Sequence, residues 1–219
     1  MPYCPRAGHS PLIDRWLQAI PLADVLILRE RSPGECRVAA TPETVRRLRA
    51  RGLDVRVQQG AGLAAGYSDG DFSEAGAQLV EPEANFGGEI DAVLCVNPPA
   101  AELLDQLKPG TLVAGLLSPY GAVDLVEQLL ARRVSALALE LLPRISRAQS
   151  MDVLSSQANI AGYKAVLLAA AALDRYVPML MTAAGTIQPA RALILGAGVA
   201  GLQALATARR LGAEVYVSD

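Results

Sequence analysis

Three glycines near the C-terminal end of the 219-residue chain have the spacing of a phosphate-binding turn. An apolar run is followed by Gly196-x-Gly198-x-x-Gly201. The first glycine permits a tight turn from strand to helix, the second lets a pyrophosphate approach the backbone, and the third lets the helix pack closely on the strand. Val199 and Ala200 then begin a helix whose free N–H groups face the anion. The pattern predicts dinucleotide binding.

Asp219 follows the next apolar run, roughly 20 residues beyond the glycines, where a carboxylate can accept hydrogen bonds from the adenosine ribose hydroxyls. The same carboxylate would repel a 2′-phosphate, so the sequence favours NAD(H) over NADP(H). A second glycine run, Gly60 to Gly66, also follows a predicted strand, but its third glycine comes one residue late. We interpret that run as a flexible loop bordering an interdomain cleft.

A polar loop precedes the long apolar helix in the middle of the chain. The segment PRISRAQSMDVLSS contains Arg144, Gln149, Asp152 and Ser155 within a short span. Connecting segments beside a cleft commonly carry function. The residue types alone equally allow an ordinary capped helix, with Ser150 or Asp152 as the N-cap.

Alternating strand and helix patterns must position these two groups. Short β-branched or leucine-rich runs alternate with amphipathic stretches, which is typical of parallel βα units. Thr41-Pro42-Glu43 has the N-cap, first-turn proline and early acid that begin a helix. Another helix is predicted over Asp124 to Arg133. The predicted strands are 25–28, 55–58, 93–96, 112–117 and 136–140.

These patterns predict an α/β chain with two Rossmann-like parts. We expect an N-terminal extension, a Rossmann-like parallel-sheet domain, a connecting helix interrupted by Gly162, and the first βαβ unit of a second, dinucleotide-binding Rossmann domain. Within the extension we expect His9 to be a surface residue and a short helix to surround Trp16. The predicted boundaries are 1–23, 24–150, 151–177 and 178–219.

Composition excludes several function classes. The net charge of −2, with acids and bases interspersed, gives no support for nucleic acid as a partner. Cys4, Cys36 and Cys95 are widely spaced without a CxxC, so neither a disulfide framework nor a metal site is predicted, and a reducing cytoplasm fits. The apolar runs are well short of the ~20 residues that cross a bilayer. Any membrane-spanning region would come from another segment or subunit.

The loop sequence PRISRAQSMDVLSSQANIAGYKAV closely resembles the Arg-Gln-Asp loop of domain I in the alpha subunit of proton-translocating NAD(P) transhydrogenases. The resemblance includes GECRVAATPETV and GAGVAGLQALATARRLGA and runs from about Val25 to the last residue. It implies that the loop contacts the nicotinamide end of NAD(H) and helps bring it against NADP(H) on a partner domain. By motif position, the loop's functional residues would be Arg144, Gln149, Asp152 and Ser155.

The same resemblance implies partners. It implies NADP(H)-binding and membrane-spanning transhydrogenase domains or subunits, a homodimer, and a location on the cytoplasmic side, peripheral to the inner membrane. Hydride transfer between two nicotinamides moves no proton to or from the substrate, so it needs ring alignment rather than a general acid or base. A chain with one histidine suits that chemistry.

Alanine dehydrogenases, the sister family, offer an alternative. Arg37 would match an arginine that holds the substrate carboxylate in that family, which also needs a lysine after the third strand pattern and a catalytic histidine. Here Cys95 and Asn97 stand where basic residues would be expected, and SPYGAVD at 118–124 supplies no histidine. We therefore expect Arg37 to be structural and Cys95 to be a buried small side chain. A truncated nonenzymatic nucleotide-binding module is the third hypothesis.

Only the first βαβ unit of the second domain lies within the sequence. A two-stranded sheet with one helix cannot bury both faces, so exposed apolar surface is expected on Leu193 to Leu195 and Val215 to Val217. The isolated fragment is expected to be inactive.

Overall fold

The computed structural model describes residues 23–86 and 89–219. His9, the expected helix around Trp16, and Cys4 lie outside the described residues. The chain divides into two compact units. The N-terminal unit ends at Leu141, and the C-terminal unit covers Leu142–Asp219.

A six-stranded, entirely parallel sheet forms the centre of the N-terminal unit, with the order β3-β2-β1-β4-β5-β6. This is the order of a Rossmann-like doubly wound fold, and it confirms the predicted fold class. The sequence pattern does not predict the short strand β3. The strands are β1 Asp24–Ile27, β2 Asp54–Gln58, β3 Gln78–Val80, β4 Ala92–Leu94, β5 Leu112–Gly115 and β6 Ser135–Ala138.

Helices of this unit begin where the sequence supplies a cap. Thr41 accepts a hydrogen bond from the Thr44 N–H with Pro42 in the first turn, and Ser68 forms a reciprocal capping box with Asp71. The predicted helix over Asp124 to Arg133 is confirmed in substance, as α4. The helices are α1 Pro42–Arg49, α2 Asp69–Glu74, α3 Ala101–Leu104 and α4 Val123–Ala131.

The Gly60 to Gly66 run is an ordered turn rather than a flexible loop. It contains a 3₁₀ helix over Leu63–Ala65, and an added Cβ at Gly62 would lie 2.4 Å from the Phe72 ring. The buried Phe72 therefore fixes a turn that the sequence pattern does not reveal.

Both faces of the sheet are covered by apolar side chains. Leu26 packs with Val93 and Val113 on one face, whereas the next residue, Ile27, packs with Val55 and Val57 on the other. Consecutive residues of a strand point to opposite faces, so a strand buried on both sides needs a continuous apolar run. The VLIL run at 25–28 satisfies this requirement.

The C-terminal unit contains a βαβ unit, as predicted. Strands β9 and β10 pair in parallel, with Ser218 beside Leu195, and α6 connects them. An antiparallel hairpin, β7–β8, precedes them and is not predicted by the sequence pattern. The elements are a 3₁₀ helix Ser146–Met151, α5 Val153–Ala171, β7 Leu180–Thr182, β8 Gly185–Ile187, β9 Arg191–Leu195, α6 Val199–Arg210 and β10 Glu214–Ser218.

The long helix differs from its prediction in two respects. It runs through Gly162 without interruption and ends at Ala171 rather than near Tyr176. After the helix, Arg175 donates to the Gln188 carbonyl, and the Val177 carbonyl accepts from the Ala190 N–H. These contacts draw the chain into the segment before β9, which competes with further helical hydrogen bonds.

One face of the β9–β10 pair is exposed, as expected. Leu193 is 68% exposed and Leu195 is 78% exposed, and Tyr216 and Val217 are also exposed. Among the helices that the structure describes, none is both long and apolar enough to span a membrane.

Candidate functional site

The turn between β9 and α6 brings the three spaced glycines together, and each has a different environment. Gly196 has a φ of +96°, which favours glycine, and an added Cβ at Gly198 would meet no atom within 4 Å. An added Cβ at Gly201 would lie 1.8 Å from the Gly196 carbonyl oxygen. The turn thus combines a left-handed corner, an open approach to the backbone, and a close helix contact.

The start of α6 has the properties of an anion site. Gly198 is its N-cap and provides no side-chain hydrogen bond to the first-turn N–H groups, which include those of Val199 and Ala200. Such N–H groups carry the positive end of the helix dipole. Asp219 is exposed and follows β10 directly, so the pairing of Ser218 with Leu195 brings Asp219 to the same sheet edge as Gly196.

The residues of the polar loop are held around the start of α5. Asp152 is the N-cap: its Oδ1 accepts from the Ser155 N–H at 2.9 Å, and its Oδ2 accepts from the Ser155 hydroxyl at 2.6 Å. The Ser155 hydroxyl, its N–H and the nearby Arg144 charge all lower the pKa of Asp152. Asp152 is therefore an ionised acceptor with a fixed orientation.

The remaining loop residues face solvent. Arg144 and Gln149 are exposed, and the backbone of Gln149 accepts from the Asp152 N–H at 3.3 Å in the last 3₁₀ turn. Buried Ala148 anchors this turn. The structure therefore places two side chains, Asp152 and Ser155, in direct contact and leaves two polar side chains available beside them. Their roles in binding or catalysis stay predictions.

Sequence reasoning missed a polar network at the carboxyl ends of β1 and β4. The Glu30 carboxylate accepts from the Val96 N–H at 2.6 Å, the Asn97 N–H at 3.1 Å and the Asn97 side-chain amide at 3.0 Å. Strand order reverses between β1 and β4, where open α/β sheets usually bind ligands. Here an internal carboxylate takes the backbone donors. Only the adjacency of Glu30 to a buried strand hinted at this role.

Arg37 belongs to the same network. It donates to the Glu35 carboxylate through Nε at 2.7 Å and Nη2 at 2.6 Å, and Asn97 bridges from Glu30 to Glu35. The Arg37 hydrogen bond is the main cause that lowers the pKa of Glu35 to about 2. These contacts fit the structural role expected for Arg37.

Cys95 is buried, as the sequence predicted. Its thiol contacts the Ala114 carbonyl, and burial, with the Glu30 charge, raises its pKa to about 12. Such a thiol is not a nucleophile at neutral pH. No group of His, Cys, Asp and Glu within residues 23–86 and 89–219 is arranged to hold a metal ion.

Comparison with known proteins identifies the family. Residues 26–161 match the family described as alanine dehydrogenase/PNT, N-terminal domain, and residues 165–219 match the corresponding C-terminal domain. The chain belongs to the alanine dehydrogenase/PNT family. Within that family it is 48% identical over 200 residues to an NAD(P) transhydrogenase subunit alpha from Rhodospirillum rubrum, covering 89% of this chain and 52% of that protein.

Solved structures of the family agree with this assignment. A transhydrogenase from Sinorhizobium meliloti is 46% identical with a TM-score of 0.85, covering 90% of this chain and 58% of that one. An L-alanine dehydrogenase is 30% identical with a TM-score of 0.76, covering 90% of this chain and 54% of that one. The chain spans about half the length of these family members. By both measures its similarity to the transhydrogenases is greater.

Proposed function

We propose that the intact protein is the NAD(H)-binding component of an NAD(P) transhydrogenase and passes hydride between NAD(H) and NADP(H) held by a partner domain. The observation that carries this proposal is the joint presence, in one compact unit, of an open glycine turn and a loop that presents Arg144, Gln149 and an oriented Asp152. The greater identity to transhydrogenases supports the same choice.

The glycine turn fits a dinucleotide. We assign the pyrophosphate to the N–H groups at the start of α6, where Gly198 leaves the backbone accessible. We assign the adenosine ribose hydroxyls to Asp219 at the adjacent strand end, which also disfavours a 2′-phosphate. Both assignments concern recognition of NAD(H) and leave the nicotinamide end to the loop.

The loop would align the nicotinamide ring. An exposed Gln149 can donate to and accept from a carboxamide, and Arg144 and Asp152 can orient amide or ribose groups. The nicotinamide supplies the chemistry, in which a hydride and its electron pair leave the reduced ring and join the oxidised one. No side chain need exchange a proton, which agrees with the ionised state of Asp152.

Alanine dehydrogenation is the second candidate because the family description and one similar structure carry that name. In the N-terminal unit, however, Arg37 is engaged by Glu35, and Asn97 stands where a basic residue is expected. An amino-acid site without its acid–base group would lose ~100-fold or more in rate. A nonenzymatic nucleotide-binding module would bind NAD(H) without supporting either reaction.

The proposed reaction requires partners. We propose an NADP(H)-binding domain and a membrane-spanning domain or subunit as those partners, a homodimeric arrangement of this component, and a position on the cytoplasmic face of the inner membrane. Proton translocation would take place in the partner.

Reduction of an NAD analogue by NADPH tests the function. The intact protein should catalyse it only when an NADP(H)-binding transhydrogenase domain is added, and Asp152→Asn or Gln149→Asn should slow hydride transfer with NADH affinity kept within a few-fold. Alanine-dependent formation of NADH would instead support the second candidate. Binding of NADH with neither reaction would support the third.

Cofactor preference is a separate test. Calorimetry on the intact protein should show tighter binding of NADH than of NADPH, and Asp219→Asn should reduce that preference. Equal affinities for the two cofactors in the unmodified protein would contradict the assignment of Asp219.

A further inference from the structure

Helix α5 approaches the first turn of α6 through backbone contact. Gly162, in the middle of α5, is buried, and an added Cβ there would lie 2.1 Å from the Ala200 carbonyl oxygen and 2.9 Å from its carbonyl carbon. Ala200 is the second residue of α6. A glycine inside a helix is unfavourable relative to alanine, so this position has glycine because no larger residue fits.

A polar contact continues the same helix crossing. Asn159, three residues before Gly162, donates to the Gln203 side chain at 3.2 Å, and Gln203 lies three residues after Ala200. The Gln203 amide also donates to Thr207, whose hydroxyl returns a hydrogen bond to the Gln203 carbonyl at 2.8 Å. Residues three apart lie on one face of a helix, so both contacts belong to one interface.

The first turn of α6 is consequently held on two sides. Gly162 of α5 lies against Ala200, and the next residue, Gly201, lies against the Gly196 carbonyl at the end of β9. Both contacts join backbone to backbone, which leaves little room for the turn to shift. The turn held in this way is the one whose N–H groups form the proposed pyrophosphate site.

We propose that Gly162 is a positioning residue for NAD(H), a role that rests on the proposed function. It seats the anion-binding turn of α6 against the helix that begins at the loop of Arg144 to Ser155. Gly162 lies nine residues after Val153, which is roughly 14 Å along the axis of α5. One helix therefore carries the loop at its start and the contact that seats the pyrophosphate site farther along.

Substitution of Gly162 should disturb binding through α6. An alanine Cβ would require the Ala200 carbonyl to move by more than about 1 Å to restore an ordinary contact. The N–H groups of the first turn would then no longer meet the pyrophosphate. Adenosine, which lacks a pyrophosphate and would use the Asp219 end of the site, should be affected far less.

The experiment compares Gly162→Ala with the unmodified intact protein, using NADH titration and competition by adenosine. The expected result is an NADH dissociation constant raised about tenfold or more, with that of adenosine changed less than about twofold. Gly70→Ala in α2 is the matched control, because its Cβ would make only an ordinary contact at 3.5 Å with the Ser68 hydroxyl oxygen. It should change neither affinity.

A second variant covers the case in which Gly162→Ala fails to fold. Asn159→Ala removes the contact to Gln203 from an exposed residue and should weaken NADH binding about two- to threefold, again without a change for adenosine. Unchanged NADH affinity in the folded variants, or equal losses for NADH and adenosine, would overturn the positioning role. Absence of NADH binding by the unmodified protein would overturn the proposed function together with this inference.

Discussion

The two units present the same kind of sheet edge and use its backbone donors in opposite ways. In the N-terminal unit, the N–H groups of Val96 and Asn97 after β4 are bound by the Glu30 carboxylate. In the C-terminal unit, the first-turn N–H groups of α6 after β9 have no capping side chain. A parallel sheet creates anion-binding edges, and the side chains nearby decide whether the chain itself fills them.

The difference also explains why only one edge has glycine spacing. A carboxylate from the same chain can reach backbone donors from β1, so the N-terminal edge needs no open backbone at that point. An external pyrophosphate needs space, which Gly198 supplies. The comparison predicts that changes at the C-terminal edge affect ligand binding, whereas changes at the N-terminal edge affect stability.

Substitution at the glycine turn should have the largest effect. Gly198→Ala should raise the NADH dissociation constant about 100-fold with an unchanged melting temperature, because the added Cβ meets only the space that the ligand would take. Gly201→Ala should lower both affinity and melting temperature, because its Cβ would overlap the Gly196 carbonyl. Calorimetry and thermal unfolding separate the two outcomes. Full NADH affinity in a folded Gly198→Ala variant would break the comparison.

The sequence was sufficient for those features that depend on local pattern. The caps at Thr41 and Ser68, the strands of the parallel sheet and the glycine turn all follow from residues close together in the chain. The contacts between Glu30 and Asn97 and between Gly162 and Ala200 could not be predicted, because each joins residues far apart in sequence. The prediction that Gly162 interrupts its helix was wrong for this reason.

A smaller effect is expected at the N-terminal edge. Glu30→Ala removes the acceptor for the Val96 and Asn97 N–H groups and should lower the free energy of unfolding of this unit by about 2 kcal/mol. Hydrogen exchange of the β4 amides measures the loss. Inorganic phosphate should restore some of the stability, because it can occupy the vacated donors.

Glu83→Ala is the matched control for Glu30→Ala. Glu83 lines the same crevice, but it pairs with Arg31 at the surface with 84% of its side chain exposed, so its loss should cost less than about 1 kcal/mol. Equal losses in the two variants, or no response of Glu30→Ala to phosphate, would show that the edge in this unit is not an internally filled anion site.

The smallest expected effect is the acid dependence of the same network. Because Arg37 lowers the pKa of Glu35 from 4.5 to about 2, the folded state binds a proton at Glu35 less readily than the unfolded state. The stability from this pair should be complete above pH 4.5 and decline as the pH falls toward about 2. Glu35→Gln removes the titrating group, so the difference in melting temperature between the unmodified protein and the variant should shrink over this interval.

Comparison with a second glutamate isolates the pair from general charge effects. Glu74→Gln removes one exposed carboxylate from α2 in the same unit and controls for the change in net charge. A stability difference for Glu35→Gln that stays constant as the pH falls would mean that Arg37 does not hold Glu35 in its ionised form. The N-terminal edge would then owe its closure to Glu30 and Asn97 alone, and Arg37 would be available for a carboxylate ligand, as the alanine dehydrogenase alternative requires.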